Sequence, residues 1–394
     1  MASFIGMTGE GQTAYITNAF TSNISVINVT NHSLITTISG PPDAYGVAVS
    51  ADGSKVYVTS TSASSVSVIN TSTNAITNTI NVGDSPLGVA VNHAGSKVYS
   101  TNTNVNTVSV ITTASNTVTA TVTVGSAPSG IVVSPDGSKV YVANSGTNTV
   151  SIINAAADTV STTVTVGLYP QGIAVSPDGS KVYVANSHDS SVSIINTMAD
   201  TVLATVPVGS HPYGIAVSPD GSKIYVTNNG ANTVSVIDTF TNTVTHTIAV
   251  GASPVGISVT PDGSKVYVAN SSDNTSSIID AASNSVSTTI SVGNYPSAFG
   301  NFISTATTGI PSITPFAPSI SIYPNPTNSI LNIKAQWTID NGQLTITDVM
   351  GNEVYKGILS NDNCQLSIVN WNAGIYFYEI RSSNLSERGK FVKE

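Results

Sequence analysis

The sequence predicts an all-β chain, a seven-bladed β-propeller followed by a small immunoglobulin-like β-sandwich. Three observations predict it. Tyrosine recurs every 42 residues, at Tyr15, Tyr57, Tyr99, Tyr141, Tyr183, Tyr225 and Tyr267, with no insertion or deletion between copies. A fixed period of about 20–50 residues means a solenoid, a propeller or an array. Each period holds four short β-like runs and no helical periodicity. Beyond residue 304 the composition changes, and both Trp (Trp337, Trp371) and both Arg (Arg381, Arg388) fall there.

The unit at 172–208 shows the elements in order. "GIAVS" is the inner strand a, and "PDG" is a turn in which Gly supplies a positive φ. "KVYVAN" is strand b and "SVSIIN" is strand c. "MAD" turns the chain into the outer strand d, "TVLATVPV". Strands a and b are nearly all apolar, as strands buried on both faces are. Strand d alternates Thr or Ser with Val, as a half-exposed strand does. Four antiparallel strands of this kind make a propeller blade. Gly46, Gly88, Gly130, Gly172, Gly214 and Gly256 open the inner strands, and Pro86, Pro128, Pro170, Pro212, Pro254 and Pro296 stand in the d–a links. Two segments compete to supply strand a of the first blade: "FIGMT" at 4–8 and "AFGNFIS" at 298–304.

The propeller is assigned to 1–304. Residues 305–319, "TATTGIPSITPFAPS", read as a linker, and 320–394 as the sandwich. The last segment divides into seven strands: "ISIYPNP", "SILNIKA", "QLTITDV", "EVYKGIL", "QLSIV", "GIYFYEIR" and "GKFVKE".

Composition limits the chemistry. Charged residues are 8% of the chain against about 25% in typical domains. Residues 1–303 carry six Lys, no Arg and fourteen acidic groups, 6 − 14 = −8, a poor surface for nucleic acid. Cys364 is the single cysteine, so neither an intrachain disulfide nor a clustered-thiolate metal site is available. No apolar run reaches the roughly 18 residues of a membrane span. The motifs HExxH, CxxC, Walker A and GxSxG are absent. "GEGQTA" at 9–14 imitates a dinucleotide loop but precedes a strand rather than a helix. The five His do not repeat with the blades, so no ring of imidazoles surrounds the channel. No cofactor is expected.

The repeat "VYVAN" or "IYVTN", with "TVSVI" downstream and "VGxxPxGIAVSPDG" between units, resembles the YVTN-type β-propeller repeat. The resemblance implies a seven-bladed ring, in proteins that are mostly extracytoplasmic, and it implies no particular reaction. The C-terminal segment resembles the type A sorting domain of the type IX secretion system. The matching stretches are "YPNPTNSILNI" with Tyr323, Pro324, Asn325 and Pro326, "ITDVMGNEVYK" with Gly351, "AGIYFYEI" with Gly374 and Tyr376, and "GKFVKE" with Lys390 and Lys393. The resemblance implies an interaction with the secretion machinery. It also implies export across the outer membrane, removal of the domain, and a secreted or surface location. Such substrates also carry a signal peptide, and "MASFIGMTGEG" has neither a basic n-region nor an apolar h-region.

Candidate functional residues are those that break the repeat. The d–a links vary and place Tyr45, Tyr169, Tyr213 and Tyr295 at one mouth of the channel. His188 and Asp189 lie in a b–c loop, and His211 in the next d–a link. Propeller topology puts b–c and d–a loops on one face, so these residues form a candidate face for a carbohydrate or protein ligand. The opposite face carries the "DGSK" turns with Lys55, Lys97, Lys139, Lys181, Lys223 and Lys265, where an Asp three residues away is expected to neutralise most of them. The outer strands carry no charge, so self-association or a glycan cover is expected along them. Asp158-Thr159-Val160 and Asp200-Thr201-Val202 resemble the short O-glycosylation motif of the phylum that uses this export route.

The chain is thus expected to be a non-enzymatic binding, adhesion or surface-structural protein. The rival is a lactonase-like hydrolase with a metal in the channel. Inner strands such as "GVAVS" and "GIAVS" offer no carboxylate to a hard cation.

Overall fold

The computed structural model describes residues 12–304, 320–323, 330–335, 342–348, 352–359, 363–381 and 386–393. Every regular element among them is a β-strand. The chain divides into two compact units, Met1–Gly309 and Ile310–Glu394.

The first unit is the seven-bladed ring. Blade five shows its construction: Pro170–Val175, Lys181–Asn186, Ser191–Asn196 and Thr201–Pro207 form one antiparallel sheet in sequence order. Strand a starts two residues earlier than the sequence suggested, because Pro170 pairs with Asn186 and a register shift separates it from Ile173. A proline is tolerated there as the first residue of a strand. The turn glycine Gly179 has φ +73°, as the turn chemistry requires.

The motif residues each have a structural task. Tyr141, Tyr183 and Tyr225 are buried and fill the space between neighbouring blades, packed with residues such as Val150, Ile173 and Val184. Asn186 donates to the hydroxyls of Ser191 and Ser193, at 3.0 and 2.9 Å, and so ties the end of strand b to strand c. That is why Asn and the Ser of "VSxI" recur together. The inner-strand glycines face the backbone of the next blade. A Cβ on Gly214 would lie 2.2 Å from the Val255 carbonyl oxygen, so no other residue fits at this spacing. Thr59 Oγ1 accepts from Gly46 N at 2.8 Å and donates to the Leu87 carbonyl of the following blade at 2.9 Å.

The ring is closed by the later of the two competing segments. Tyr15 N donates to Phe302 O at 2.9 Å, and Ser304 N to Thr13 O at 2.9 Å. Ser297 N donates to Thr17 O at 2.9 Å. Residues 296–304 therefore supply the innermost strand of blade one beside Thr13–Asn18, joining the two ends of the ring. Phe302 is fully buried in the core of this seam. "FIGMT" lies outside the described residues.

The DGSK turns are neutralised differently from the sequence expectation. The turn carboxylates bond within their own turns: Asp136 accepts from the hydroxyls of Ser134 at 2.6 Å and Ser138 at 2.8 Å. These bonds lower the pKa of Asp136 and Asp178 to about 2, the Ser134 and Ser176 hydroxyls first among the causes. Lys97, Lys139, Lys181 and Lys223 instead reach the c–d turn of the next blade. Lys97 pairs with Asp158 at 2.9 Å and Lys139 with Asp200 at 3.1 Å. The Asp of each glycosylation-like triplet is thus an ion-pair partner, while Thr159 and Thr201 are exposed. At the seam His32 replaces that turn residue and its Nδ1 meets Tyr267 Oη at 2.7 Å. Lys265 then pairs with Asp280 of its own blade at 2.7 Å.

Among its described residues the second unit has seven strands, at the places read from the sequence, in two sheets. Ile320–Tyr323, Ile330–Ala335 and Asn363–Ser367 form one, and Glu353–Leu359, Gly342–Thr347, Gly374–Arg381 and Ser386–Lys393 form the other. Leu331 from the first packs with Leu344, Ile346, Tyr376 and Phe391 from the second. Tyr376 is inward because Gly374–Arg381 alternates, with Ile375 and Phe377 exposed. Of the sorting motif, Tyr323 ends the first strand, Gly374 pairs with Lys393, and Lys390 pairs with Phe377. Pro324, Asn325, Pro326 and Gly351 lie outside the described residues.

Candidate ligand-binding face

The d–a links and b–c loops meet on one face, laced by side chains. Asn148 Oδ1 in the b–c loop of blade four accepts from Tyr169 N at 2.9 Å, and Asn274 does the same for Tyr295 N at 2.9 Å. Ala127 and Ser253 are held in the same way, and the residue at this position has a left-handed backbone in every link. Asp43, Ser85, Ala127 and Ser253 occupy the slot in four links, and Tyr169 (φ 55°), His211 (φ 49°) and Tyr295 (φ 57°) in the others. An aromatic side chain there costs on the order of 1–3 kcal/mol relative to a residue that accepts positive φ.

Each aromatic leans over the b–c loop of its own blade. Tyr169 stacks on His188 with centroids 4.3 Å apart and planes 7° from parallel. Tyr295 stacks on Phe20 at 4.5 Å and 17°. His211 lies over Gly230, where a Cβ would come within 2.6 Å of its Nδ1. His188 and His211 meet edge to face at 6.2 Å. Phe20 was missed by the sequence reading. Its signal was available, since Phe20 and His188 occupy the same slot of the 42-residue register. The face therefore carries the same stacked pair twice, in blades one and five. Phe20 is 73% exposed and Tyr169 41%, so flat ring surface is open to solvent. Asp189 braces its loop, accepting from Leu168 N through Oδ2 at 2.5 Å.

Tyr45 and Tyr213 behave differently. Each sits one inner-strand residue into the channel, and their hydroxyls meet across the mouth at 2.6 Å. Both pack edge-on against Phe299, with centroids 6.1 and 5.4 Å away. Burial is the first cause that raises both phenol pKa values, that of Tyr213 to about 12, so both are neutral hydrogen-bonding groups. Beside them Ser129 Oγ donates to Gln171 Oε1 at 2.7 Å. Below this layer the channel narrows to a waist of about 30 Å³ between Gly172, Gly214, Ile215 and Phe299, room for a water or two. The seven sequence-derived residues thus separate into three groups. Tyr169, His188, Asp189 and His211 come together, Tyr45 and Tyr213 close the channel, and Tyr295 pairs with Phe20. Among the described residues no three His, Cys, Asp or Glu converge.

Comparison with known families and structures agrees with this anatomy. Residues 321–394 match a secretion-system C-terminal sorting domain, residues 2–95 a YNCE-like β-propeller and residues 111–205 a seven-bladed lactonase propeller. No curated protein matches. Hydrazine synthase of Kuenenia stuttgartiensis superposes with a TM-score of 0.62 at 22% identity, covering 66% of this chain and 90% of that one. A functionally unknown protein from Desulfotomaculum acetoxidans gives 0.64 at 19%, covering 74% and 100%. A candidate 6-phosphogluconolactonase from Bacteroides fragilis gives 0.63 at 17%, covering 74% and 98%. At these identities the likeness is one of fold. The chain is a seven-bladed β-propeller carrying a C-terminal sorting domain of the type IX secretion kind, which indicates export by that route.

Proposed function

We propose that the mature propeller is a non-enzymatic carbohydrate-binding module, released or displayed at the cell surface after the sorting domain is removed. The observation that carries the reading is the pair of exposed aromatic stacks, Tyr169 on His188 and Tyr295 on Phe20. Both tyrosines take a left-handed backbone that disfavours them, and each stack still leaves ring surface open to solvent where a flat ligand can lie. Sugar rings present apolar faces that lie flat on such rings, and the surrounding Ser, Asn and Thr loops supply uncharged hydrogen-bonding groups.

The lactonase-like reading rests on the partial family match and on the structural neighbour from Bacteroides fragilis. Against it stands the composition of the channel layer, which is Gly, Val, Ile and two neutral tyrosines where that reading needs carboxylates.

Affinity electrophoresis through gels containing soluble polysaccharides separates the two. We expect retardation of the native chain by at least one polysaccharide, and loss of at least tenfold in affinity for Tyr169→Ala with Tyr295→Ala. Turnover of sugar lactones by the purified chain, or retardation untouched by the double substitution, would overturn the proposal.

A further inference from the structure

The channel is open at the other end. On the face of the DGSK turns it widens into a funnel of about 480 Å³. That volume lies within the range of roughly 300–1,000 Å³ typical of small-molecule sites. Its wall is built from the ends of the inner strands. One layer carries residues such as Ala90, Val132 and Ala174, the next Val91, Val133 and Val175. The floor is Ile131, Ile173, Ile215 and Gly300, just below the waist that Phe299 narrows. From rim to floor is three strand residues, about 10 Å at ~3.3 Å each. Polar side chains gather at the rim, as Asn92, His93 and Ser134, and Ser258 and Asn301 interrupt the apolar wall on one side.

We propose that this funnel binds the alkyl chain of a neutral single-chain amphiphile. A guest whose apolar chain displaces water from such a wall gains the free energy of burying apolar surface. Apart from Ser258, whose hydroxyl is already committed to Asn301 Oδ1 at 3.0 Å, the wall repeats nearly the same apolar side chain from blade to blade. It can grip an unbranched chain along the axis but cannot orient a sugar or a heterocycle. The blind end keeps the guest's apolar tip inside and leaves its head among the rim amides and hydroxyls. The charge of the rim selects the head. Asp52, Asp136, Asp178, Asp220 and Asp262 stand in the turns of this face. Three of its six lysines, Lys97, Lys139 and Lys265, are drawn away to carboxylates beside the c–d turns, leaving 6 − 3 = 3. A carboxylate head is therefore disfavoured and a hydroxyl head accepted. The site lies on the face opposite the aromatic stacks and does not depend on their ligand.

Titration calorimetry of the full-length chain with 1-hexanol, 1-heptanol, 1-octanol and 1-nonanol tests this. We expect saturable one-to-one binding, about fourfold tighter for each added methylene until the funnel is filled. Octanoate is expected to bind at least tenfold more weakly than 1-octanol. Ala174→Phe, which fills the funnel from its wall, should abolish binding, and Met198→Ala, at an exposed outer turn, should leave it unchanged. Absence of saturation, affinity independent of chain length, octanoate binding as tightly as octanol, or full binding by a folded Ala174→Phe chain would each overturn the proposal. The chain-length series on the unsubstituted protein decides the matter even if the substituted chain does not fold.

Discussion

The two faces of the ring are built from the same number of loops by opposite rules. On the turn face, Ser-Pro-Asp-Gly-Ser-Lys recurs with little change, and its carboxylates and hydroxyls satisfy one another within each turn. On the link face the backbone repeats, with a left-handed residue in every d–a link, but the side chain at that position does not. The difference teaches that the repeat specifies wedges of equal angle, and that individuality gathers where a side chain is not needed in the core between blades. The aromatic pairs and the tyrosine closure fall at such positions, whereas His32 breaks the repeat at the seam, against Tyr267 of the last blade.

The strongest way to break this comparison is to attack the ring where neither rule applies, at its seam. Phe302→Ala removes a fully buried ring from the joint between the first and last blades. A loss of about 3–5 kcal/mol is expected, measured by urea unfolding of the full chain. A loss below about 1 kcal/mol would mean that the closing strand contributes little and the ring holds through its blade-to-blade cores alone.

Glycines sharpen the comparison at the next magnitude. Gly214→Ala puts a methyl group 2.2 Å from the Val255 carbonyl, so adjacent inner strands must separate. The expected cost is about 1–3 kcal/mol. Gly179→Ala, in a turn of the repeating face, meets nothing closer than 3.5 Å and carries only the strain of φ +73°. It should cost about 1 kcal/mol. Equal costs at the two sites would show that blade spacing yields more easily than the close approach implies.

Acid should find the turn face first. Asp136 and Asp178 have folded pKa values near 2, below the unfolded value of about 3.9. A depressed carboxylate stabilises the fold fully above its unfolded pKa and loses that contribution as pH falls through the folded one. Stability should therefore fall between about pH 4 and pH 2, followed by circular dichroism. Ser134→Ala with Ser176→Ala should shrink the loss in that window, because the hydroxyls that hold those pKa values down are gone. An unchanged acid profile would locate acid sensitivity elsewhere.

How much of this was legible in the sequence follows from the same contrast. The blades, their strand order and the seven strands of the C-terminal unit were readable because burial imposes periods on them, 42 residues for the blade and two for the strand. The glycines were visible as a pattern, but their reason was not, since the Gly214–Val255 approach joins two repeats. The choice between the two closing segments required hydrogen bonds between residues such as Tyr15 and Phe302, which no local pattern encodes. In the candidate face, Tyr169, His188 and His211 were found because they break the repeat. Phe20 breaks it too, but its partner Tyr295 lies at the other end of the ring, and only closure of the seam brings the two rings together. That Tyr45 and Tyr213 turn inward to meet depends on two blades facing each other across a ring.

The smallest expected effect tests the one place where the turn face departs from its rule. Asp158 and Asp200 pair with lysines of the preceding blade, while Asn74, Asn116, Asn242 and Asn284 stand at the same slot elsewhere. The groups of the Lys97 pair are about a quarter exposed, and such pairs contribute roughly 0–1 kcal/mol. Asp158→Asn should therefore cost less than about 1 kcal/mol, and a double-mutant cycle with Lys97→Met should give a coupling of a few tenths. A coupling above that range would make the ion pair a real staple between blades three and four and would explain why Asp replaces Asn there. With no coupling at all, the pair is incidental. The aspartates would then matter for what lies beside them, the exposed hydroxyls of Thr159 and Thr201, and mass measurement of those threonines on the exported protein becomes the decisive observation.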